Sequence, residues 1–197
     1  MFDRVANNIT IDDLLIILEI GAGTGKNAPH LLRDGHYGTD LVHLDLSAKR
    51  CRRAWVRAVK GNYHTRILRM LRMNITDLDF SQLGEIYCDY VFATGGLQFI
   101  SQAQIVIFLT KLWKANHPIR KLVLRERIHL SDDMAEEFSA TGFFYLRSLE
   151  WYMNGMNAMC PDFIVEVGTS VTNVSPDNDQ HRYVWMLVTL KDNAPKK

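Results

Sequence analysis

The apolar residues of this chain alternate between short continuous runs and stretches with helical spacing, which is typical of a sheet with crossover helices. The first run, residues 14–20, is almost wholly apolar and ends in glycines, as expected of a strand buried on both faces. Later apolar runs predict four further strands, at residues 41–45, 67–73, 89–93 and 121–128. The first two thirds of the chain therefore predict five strands in series.

Helical spacing predicts helices over residues 28–33, 48–59, 104–115 and 148–159. Ser47 and Ser101 are expected to cap the second and third of these, and Gly61-Asn62 to end the second. Two final strands, at residues 163–167 and 183–190, are joined by a short polar connection and predict an antiparallel hairpin. The expected fold class is α/β, with a doubly wound, mostly parallel seven-stranded sheet and a C-terminal antiparallel hairpin.

The length of 197 residues predicts a single domain, 1–197, with a short N-terminal segment at 1–13 and a frayed tail at 193–197. No apolar run approaches the length of about 18 residues that spans a membrane, and the first residues lack the features of a signal peptide. The three cysteines and the scattered histidines form no metal or disulfide pattern. A cytoplasmic location without a bound metal is expected, with the nucleus or an organelle left open.

The glycines that follow the first strand form the most specific motif of the chain. Glycine adopts positive φ and has no Cβ, so a ligand can lie against the main chain there. A P-loop is not matched, since Ile20 and Asn27 stand where its first glycine and its Ser/Thr belong. The dinucleotide fingerprint is not matched either, because Lys26 replaces its third glycine. The pattern E-x-G-x-G-x-G is matched in full, by Glu19, Gly21, Gly23 and Gly25.

On these residues the chain resembles the class I S-adenosylmethionine-dependent methyltransferases. The resemblance implies that the glycine loop bends around the methionine part of the cofactor and that Glu19 contacts its ammonium group. Asp45 would accept the ribose hydroxyls, and Asp77 the adenine amino group, although Asp79 is an equal candidate by spacing. The predicted residues for S-adenosyl-L-methionine are Glu19, Gly21, Ala22, Gly23, Gly25, Asp45, Leu46, Ile75, Thr76, Asp77, Thr94 and Gly95.

The residues that would face the methyl acceptor are less specific. Residues 89–100 resemble the family segment that closes over the sulfonium, which makes Gln98 and Phe99 candidate substrate residues. Only about thirteen residues precede the first strand, so the pocket is expected to be open, closed by residues 130–155, or completed by a partner chain. Tyr145, Trp151 and Tyr152 are the aromatic candidates in that segment, with core packing as the alternative. No catalytic residue is assigned, because positioning can supply most of the acceleration of methyl transfer.

The net charge of +1 conceals a basic segment without acids between Leu46 and Thr76. Such a segment suggests an anionic partner, either a nucleic acid or an acidic protein. The alternative is an ordinary solvated surface that is balanced by acids elsewhere in the chain, at Asp132, Asp133, Glu136 and Glu137. The candidate partner residues on the predicted helix are Lys49, Arg50, Arg52, Arg53, Arg57 and Lys60.

Two functions are compatible with these features. The first is an S-adenosylmethionine-dependent methyltransferase that acts on an undetermined small-molecule or protein acceptor, and the complete glycine motif favours it. The second is a methyltransferase-fold subunit of a nucleic-acid or ribonucleoprotein complex with weak or no catalysis. The short N-terminal segment and the basic residues favour this second function. A dehydrogenase is disfavoured by Lys26.

Overall fold

A computed structural model of the chain describes residues 15–33, 39–83, 86, 88–114, 119, 121–129, 137–138, 145–159, 163–170 and 181–190. The chain divides into two compact units, residues 1–92 and 93–197. The predicted N-terminal segment and C-terminal tail lie outside the described residues. Within the described part of the chain, no helix is long and apolar enough to cross a membrane.

The first unit is built on parallel strands. They are β1 (Leu15–Ile20), β2 (Thr39–Asp45), β3 (Ile67–Arg72) and β4 (Tyr90–Thr94), of which the first unit contains residues 90–92. Their order in the sheet is β3-β2-β1-β4. In the β1–β2 pair Leu15 lies opposite Thr39 and Glu19 opposite His43. The side chains of β1 and β2 are almost all buried, as the continuous apolar runs predicted. Parallel register brings the carboxyl ends of β1 and β2 to the same edge, where the glycine loop begins.

The helices of the first unit are α1 (Ala28–Arg33) and α2 (Ala48–Lys60). The predicted cap of α2 is confirmed, because Ser47 Oγ accepts a hydrogen bond from the Arg50 amide at 3.3 Å. The predicted stop is also confirmed: the Gly61 amide donates to the Arg57 carbonyl at 2.9 Å, and Asn62 takes the left-handed φ of 56°. Short 3-10 turns follow β3, at Ile75–Asp77 and Phe80–Leu83.

The second unit contains the remaining helices and strands. They are α3 (Gln102–Lys114), β5 (Lys121–His129), β6 (Glu137–Phe138), β7 (Tyr145–Ser148), α4 (Leu149–Met159), β8 (Phe163–Ser170) and β9 (His181–Leu190). β9 pairs antiparallel with both β5 and β8, so the predicted C-terminal hairpin is confirmed. β7 runs parallel to the end of β5, with Arg147 opposite Ile128, and β6 pairs antiparallel with β7.

The predicted fold class is confirmed, and the seven predicted strands are all present. The sequence did not predict β6 and β7, which have two and four residues and lack the apolar run that marks the other strands. Ser148, placed inside the last helix by the sequence, instead caps it, because its Oγ accepts a hydrogen bond from the Trp151 amide at 3.0 Å.

Alanine substitution of Gly23 and of Gly25 should lower the free energy of unfolding by different amounts. Gly23 and Gly25 both have left-handed φ, but a Cβ at Gly25 would lie 3.1 Å from Ala54 Cβ on α2, whereas a Cβ at Gly23 would meet only the Gly21 carbonyl oxygen at 3.8 Å. Gly25→Ala should therefore lower the free energy of unfolding by about 2–4 kcal/mol, through backbone strain and overpacking. Gly23→Ala, the matched control, should cost about 1 kcal/mol from strain alone.

Urea denaturation of the two variants without cofactor measures this difference. Equal losses of stability would contradict the close packing of Gly25 against Ala54.

Candidate functional site

The loop after β1 is held in a conformation that requires glycine. Gly21, Gly23 and Gly25 have φ values of 64°, 57° and 70°, which residues with a side chain rarely adopt. The Gly25 amide donates to the Ala22 carbonyl at 2.9 Å, and the Ala22 amide donates to the Leu44 carbonyl at 3.1 Å. The loop is thus closed on itself and attached to the end of β2.

Asp45, at the end of β2, holds the loop from the other side. Its Oδ2 accepts a hydrogen bond from the Gly23 amide at 2.9 Å, and its Oδ1 accepts one from the Ser47 amide at 2.8 Å. Each carboxylate oxygen has a second lone pair, so Asp45 keeps the capacity to accept further hydrogen bonds. A single buried carboxylate therefore orients the loop and remains able to bind hydroxyl groups.

Glu19 lies beneath the loop with 1% of its surface exposed. Its Oε1 accepts a hydrogen bond from Asn27 Nδ2 at 2.9 Å. Its Oε2 lies 3.2 Å from His43 Nε2, but the two atoms are not aligned as a hydrogen bond, and Oε2 has no hydrogen-bond partner among the described residues. A buried acceptor in this state fits a cationic group of a ligand.

Burial disfavours the charged forms of both members of this contact. It raises the pKa of Glu19 to about 7, an effect that the Asn27 hydrogen bond opposes and the nearby Asp45 charge reinforces. Burial also lowers the pKa of His43 to about 4. At neutral pH the imidazole is therefore uncharged, and the close approach of His43 to Glu19 is not an ion pair.

The sequence did not identify Asn27 or His43 as part of the site. Asn27 was noted only as a departure from the P-loop pattern, and His43 as one residue of a predicted strand. Once β1 and β2 are known to be parallel neighbours, their register places His43 opposite Glu19. That pairing is the signal that could have identified His43.

The other predicted cofactor residues of the first unit lie after β2 and β3. Leu46 is 66% exposed, unusual for a leucine, whereas Ile75 is buried. The Thr76 amide donates to Asn74 Oδ1 at 3.1 Å, which fixes the 3-10 turn. Asp77 and Asp79 are both exposed, so burial does not separate the two candidates.

In the second unit, the turn after β4 is held by two fully buried ionisable side chains that were not predicted from the sequence. The carboxylate of Glu126 accepts hydrogen bonds from the amides of Leu97 and Gln98, at 3.1 and 3.2 Å. The guanidinium of Arg147 donates to the carbonyls of Leu97 and Ile100, at 3.2 and 2.6 Å. Burial raises the pKa of Glu126 to about 8, although the amides and Arg147 oppose that rise.

The predicted residues of this turn are in different environments. Thr94 ends β4 and is half-buried, and Gly95 has a φ of 61° and donates its amide to the Arg125 carbonyl at 2.7 Å. The amide oxygen Oε1 of Gln98 is buried without a hydrogen-bond partner among the described residues. Phe99 is 52% exposed. Gln98 therefore has an unused acceptor beside an exposed aromatic ring.

Two of the three aromatic candidates of residues 130–155 lie against Arg147, and the third packs on one of these two rings. The guanidinium carbon of Arg147 lies 5.0 Å from the ring centre of Tyr145 and 4.8 Å from that of Trp151. Tyr152 is buried, and its ring meets Trp151 edge to face at 5.0 Å. These contacts are cation–π and core packing within the protein. The role of the three rings in acceptor binding stays a prediction.

Replacing the buried Arg147 should cause a large loss of stability. Arg147→Met would leave the carbonyls of Leu97 and Ile100 without their buried donor and would remove a positive charge near Glu126, so the free energy of unfolding should fall by about 3 kcal/mol. Glu150→Gln, an exposed substitution on α4, serves as the control and should change stability by less than about 0.5 kcal/mol. Urea denaturation compares the variants, and an unchanged midpoint for Arg147→Met would exclude this role.

Comparison with known proteins agrees with this geometry. Residues 17–118, just over half of the chain, match the family described as a methyltransferase domain. No match was found among curated proteins.

Several solved structures share the fold at low sequence identity. The cyclase SpnF has a TM-score of 0.73 at 13% identity, over 96% of this chain and 80% of its own. The 1,6-didemethyltoxoflavin N1-methyltransferase of Burkholderia thailandensis has a TM-score of 0.66 at 17% identity, over 90% and 71%. The geranyl diphosphate C-methyltransferase of Streptomyces coelicolor has a TM-score of 0.69 at 11% identity, over 96% and 78%. The chain therefore belongs to the methyltransferase-domain family of class I S-adenosylmethionine-dependent methyltransferases.

Proposed function

We propose that this chain transfers the methyl group of S-adenosylmethionine to a small-molecule acceptor, and that the glycine loop, Glu19 and Asp45 hold the methyl donor. The observation that carries this proposal is the buried Glu19 Oε2, which lacks a hydrogen-bond partner among the described residues and lies beneath the left-handed glycines. The ammonium group of the cofactor's methionine part would supply that partner. Asp45 keeps acceptor capacity for the two ribose hydroxyls.

The same unit offers an apolar and a polar group for the adenine ring. Leu46 follows Asp45 directly and exposes most of its side chain, so it would cover one face of the ring. Ile75 and Thr76 would lie along the ring, with Asp77 or Asp79 accepting from its amino group. Burial of this apolar surface would add to the affinity provided by the two carboxylates.

Bound S-adenosylmethionine supplies a methyl group that is already activated by its sulfonium, so the chain mainly has to position the acceptor. Gln98 and Phe99 do not exchange protons, and we assign neither as a base. They suit an acceptor that attacks with a lone pair already free at neutral pH. The Gln98 amide oxygen would orient such an acceptor, and Glu126 and Arg147 would keep the turn in place.

The named activities of two structural neighbours support a small acceptor. One is named for N1-methylation of 1,6-didemethyltoxoflavin, and the other for C-methylation of geranyl diphosphate. SpnF, by contrast, is named as a cyclase, so the fold alone does not define the reaction.

Labelled methyl donor should be incubated with panels of small amines, phenols and carbon acids, and separately with proteins. Label in small molecules is expected, and label confined to proteins would favour a protein acceptor.

Cofactor binding is the first test of the assigned residues. We expect calorimetry to give a dissociation constant in the micromolar range, a binding free energy of about −8 kcal/mol. Asp45→Ala should weaken binding at least about tenfold, because both the ribose contact and the Gly23 hydrogen bond are lost. Asp40→Ala, on the same strand but paired with Arg66 at 3.5 Å, is the control and should bind like the parent protein. Absence of heat at millimolar cofactor would refute the proposal.

The raised pKa of Glu19 predicts a pH dependence of this binding. Only the carboxylate form attracts the ammonium group, and with a pKa of about 7 its population is about five times lower at pH 6 than at pH 7. Cofactor affinity should therefore rise about fivefold over this interval. Glu19→Gln should bind more weakly and lose the pH dependence, and an equal rise in the variant would assign the titration to another group.

A matched pair of substitutions separates the two adenine candidates. Asp77→Ala and Asp79→Ala remove the same charge from neighbouring exposed positions. Loss of a hydrogen bond to adenine should weaken cofactor binding about tenfold in one variant only. We expect Asp77→Ala to be that variant, and calorimetry would reject the assignment if only Asp79→Ala weakened binding.

A further inference from the structure

The solvent-facing side of α2 is strongly basic. Six of its residues are exposed cations, and no acidic residue occurs between Leu46 and Thr76. We call these six residues the basic surface; they are Lys49, Arg50, Arg52, Arg53, Arg57 and Lys60. Proposed methyl transfer uses none of them, so the basic surface requires its own explanation.

The positive charge of the basic surface is not neutralised within the described part of the chain. No carboxylate of the described residues forms an ion pair with any of the six side chains. Arg57 differs from the others, because its Nε donates to the carbonyl of Thr24 in the glycine loop at 3.0 Å. Among the acidic residues that could balance this positive charge, Asp132, Asp133 and Glu136 lie outside the described residues.

The basic surface also contains exposed apolar side chains. Trp55, Val56 and Val59 are each between 44% and 49% exposed, while Ala54 and Ala58 face the protein core. With about 100° between successive residues of a helix, five of the six cations follow one another around the axis as one continuous basic arc, in the order Lys49, Lys60, Arg53, Arg57 and Arg50. Trp55, Val59 and Val56 border this arc on one side, and Arg52 lies between the two valines. Exposed apolar side chains thus lie beside the basic arc, and one of them is an aromatic ring.

We infer that the basic surface binds a single strand of nucleic acid. Four of its six cations are arginines, whose planar guanidinium groups match phosphate oxygens two at a time. The ring of Trp55 lies one helical turn from Arg52 and is 44% exposed, and a base that is not paired can stack on such a ring. The thirteen residues of α2 extend for about 20 Å, long enough to contact several consecutive phosphates of one strand.

Two other anionic partners fit the basic surface less well. A helix that lies on an anionic membrane binds through the apolar area that it buries, and α2 exposes only three large apolar side chains, with Arg52 between two of them. An acidic protein would pair with the cations, but it need not place a planar group on Trp55, whereas every nucleotide carries one. A continuous basic arc beside an exposed aromatic ring is the combination that binds single-stranded nucleic acid.

Fluorescence anisotropy with a labelled single-stranded oligouridine of about twelve nucleotides tests the inference. The full chain should bind it, with affinity falling steeply between about 50 and 200 mM salt. The triple variant R52Q/R53Q/K60Q should bind at least about tenfold more weakly, and the slope of log affinity against log salt should decrease by about 2. Arg57 is left unchanged because it contacts the glycine loop.

A matched control removes the same charge elsewhere. K191Q/K196Q/K197Q lowers the net charge by the same amount outside α2 and should retain the affinity and salt slope of the parent chain. Trp55 is tested separately: W55A should bind about tenfold more weakly, and W55F should restore most of that affinity by keeping a ring for stacking. Circular dichroism and S-adenosylmethionine binding by each variant establish that the fold is retained, independently of the oligonucleotide result.

Four results would overturn the inference. They are no binding to the oligonucleotide at low salt, equal weakening by the two triple variants, equal binding by W55A and the parent chain, and tighter binding to poly-glutamate or to anionic vesicles than to the oligonucleotide. Failure of nucleic-acid binding would leave the methyltransferase assignment unaffected, since the cofactor residues and the varied cations are different side chains.

Discussion

The carboxylate of Asp45 is the interaction on which the first unit depends. It accepts the amide of Gly23 in the loop after β1 and the amide of Ser47, the residue that caps α2. One side chain therefore joins the end of β2 to the glycine loop and to the start of α2. The close packing of Gly25 on Ala54 reinforces the same junction. A change in Asp45 would alter both the glycine loop, the proposed site of the methyl donor, and the orientation of α2.

Both units contain buried carboxyl groups whose pKa values are raised by the loss of water. Glu19 receives one hydrogen bond from Asn27, and Glu126 receives two from backbone amides. The difference in partners agrees with the different roles proposed for the two groups. Glu126 and Arg147 satisfy the backbone of a turn, whereas Glu19 has an oxygen without a hydrogen-bond partner among the described residues, which is the oxygen proposed to bind the cofactor's ammonium group.

Local features were predicted well from the sequence. The strands and helices of the first unit lie within a residue or two of the predicted bounds, and Ser47 caps α2 as its position indicated. The glycine motif is reliable because positive φ angles at three alternate positions, 21, 23 and 25, are compatible with few residues other than glycine. Strands β6 and β7 were missed because they are short and lack an apolar run. β7 pairs with β5, and β6 pairs with β7. Such pairing leaves no hydrophobic pattern in the sequence of the two strands.

The sequence by itself determined the α/β class, the methyltransferase family and the segment that would hold the methyl donor, because each is encoded by neighbouring residues. Only the tertiary structure decided which side chains support those residues. Glu126 and Arg147 meet the turn at residues 97–100 across separations of about 30 and 50 positions, and His43 meets Glu19 through the register of two parallel strands. Contacts of this kind leave no periodic or local signal, since they arise only when distant segments pack together and exclude water.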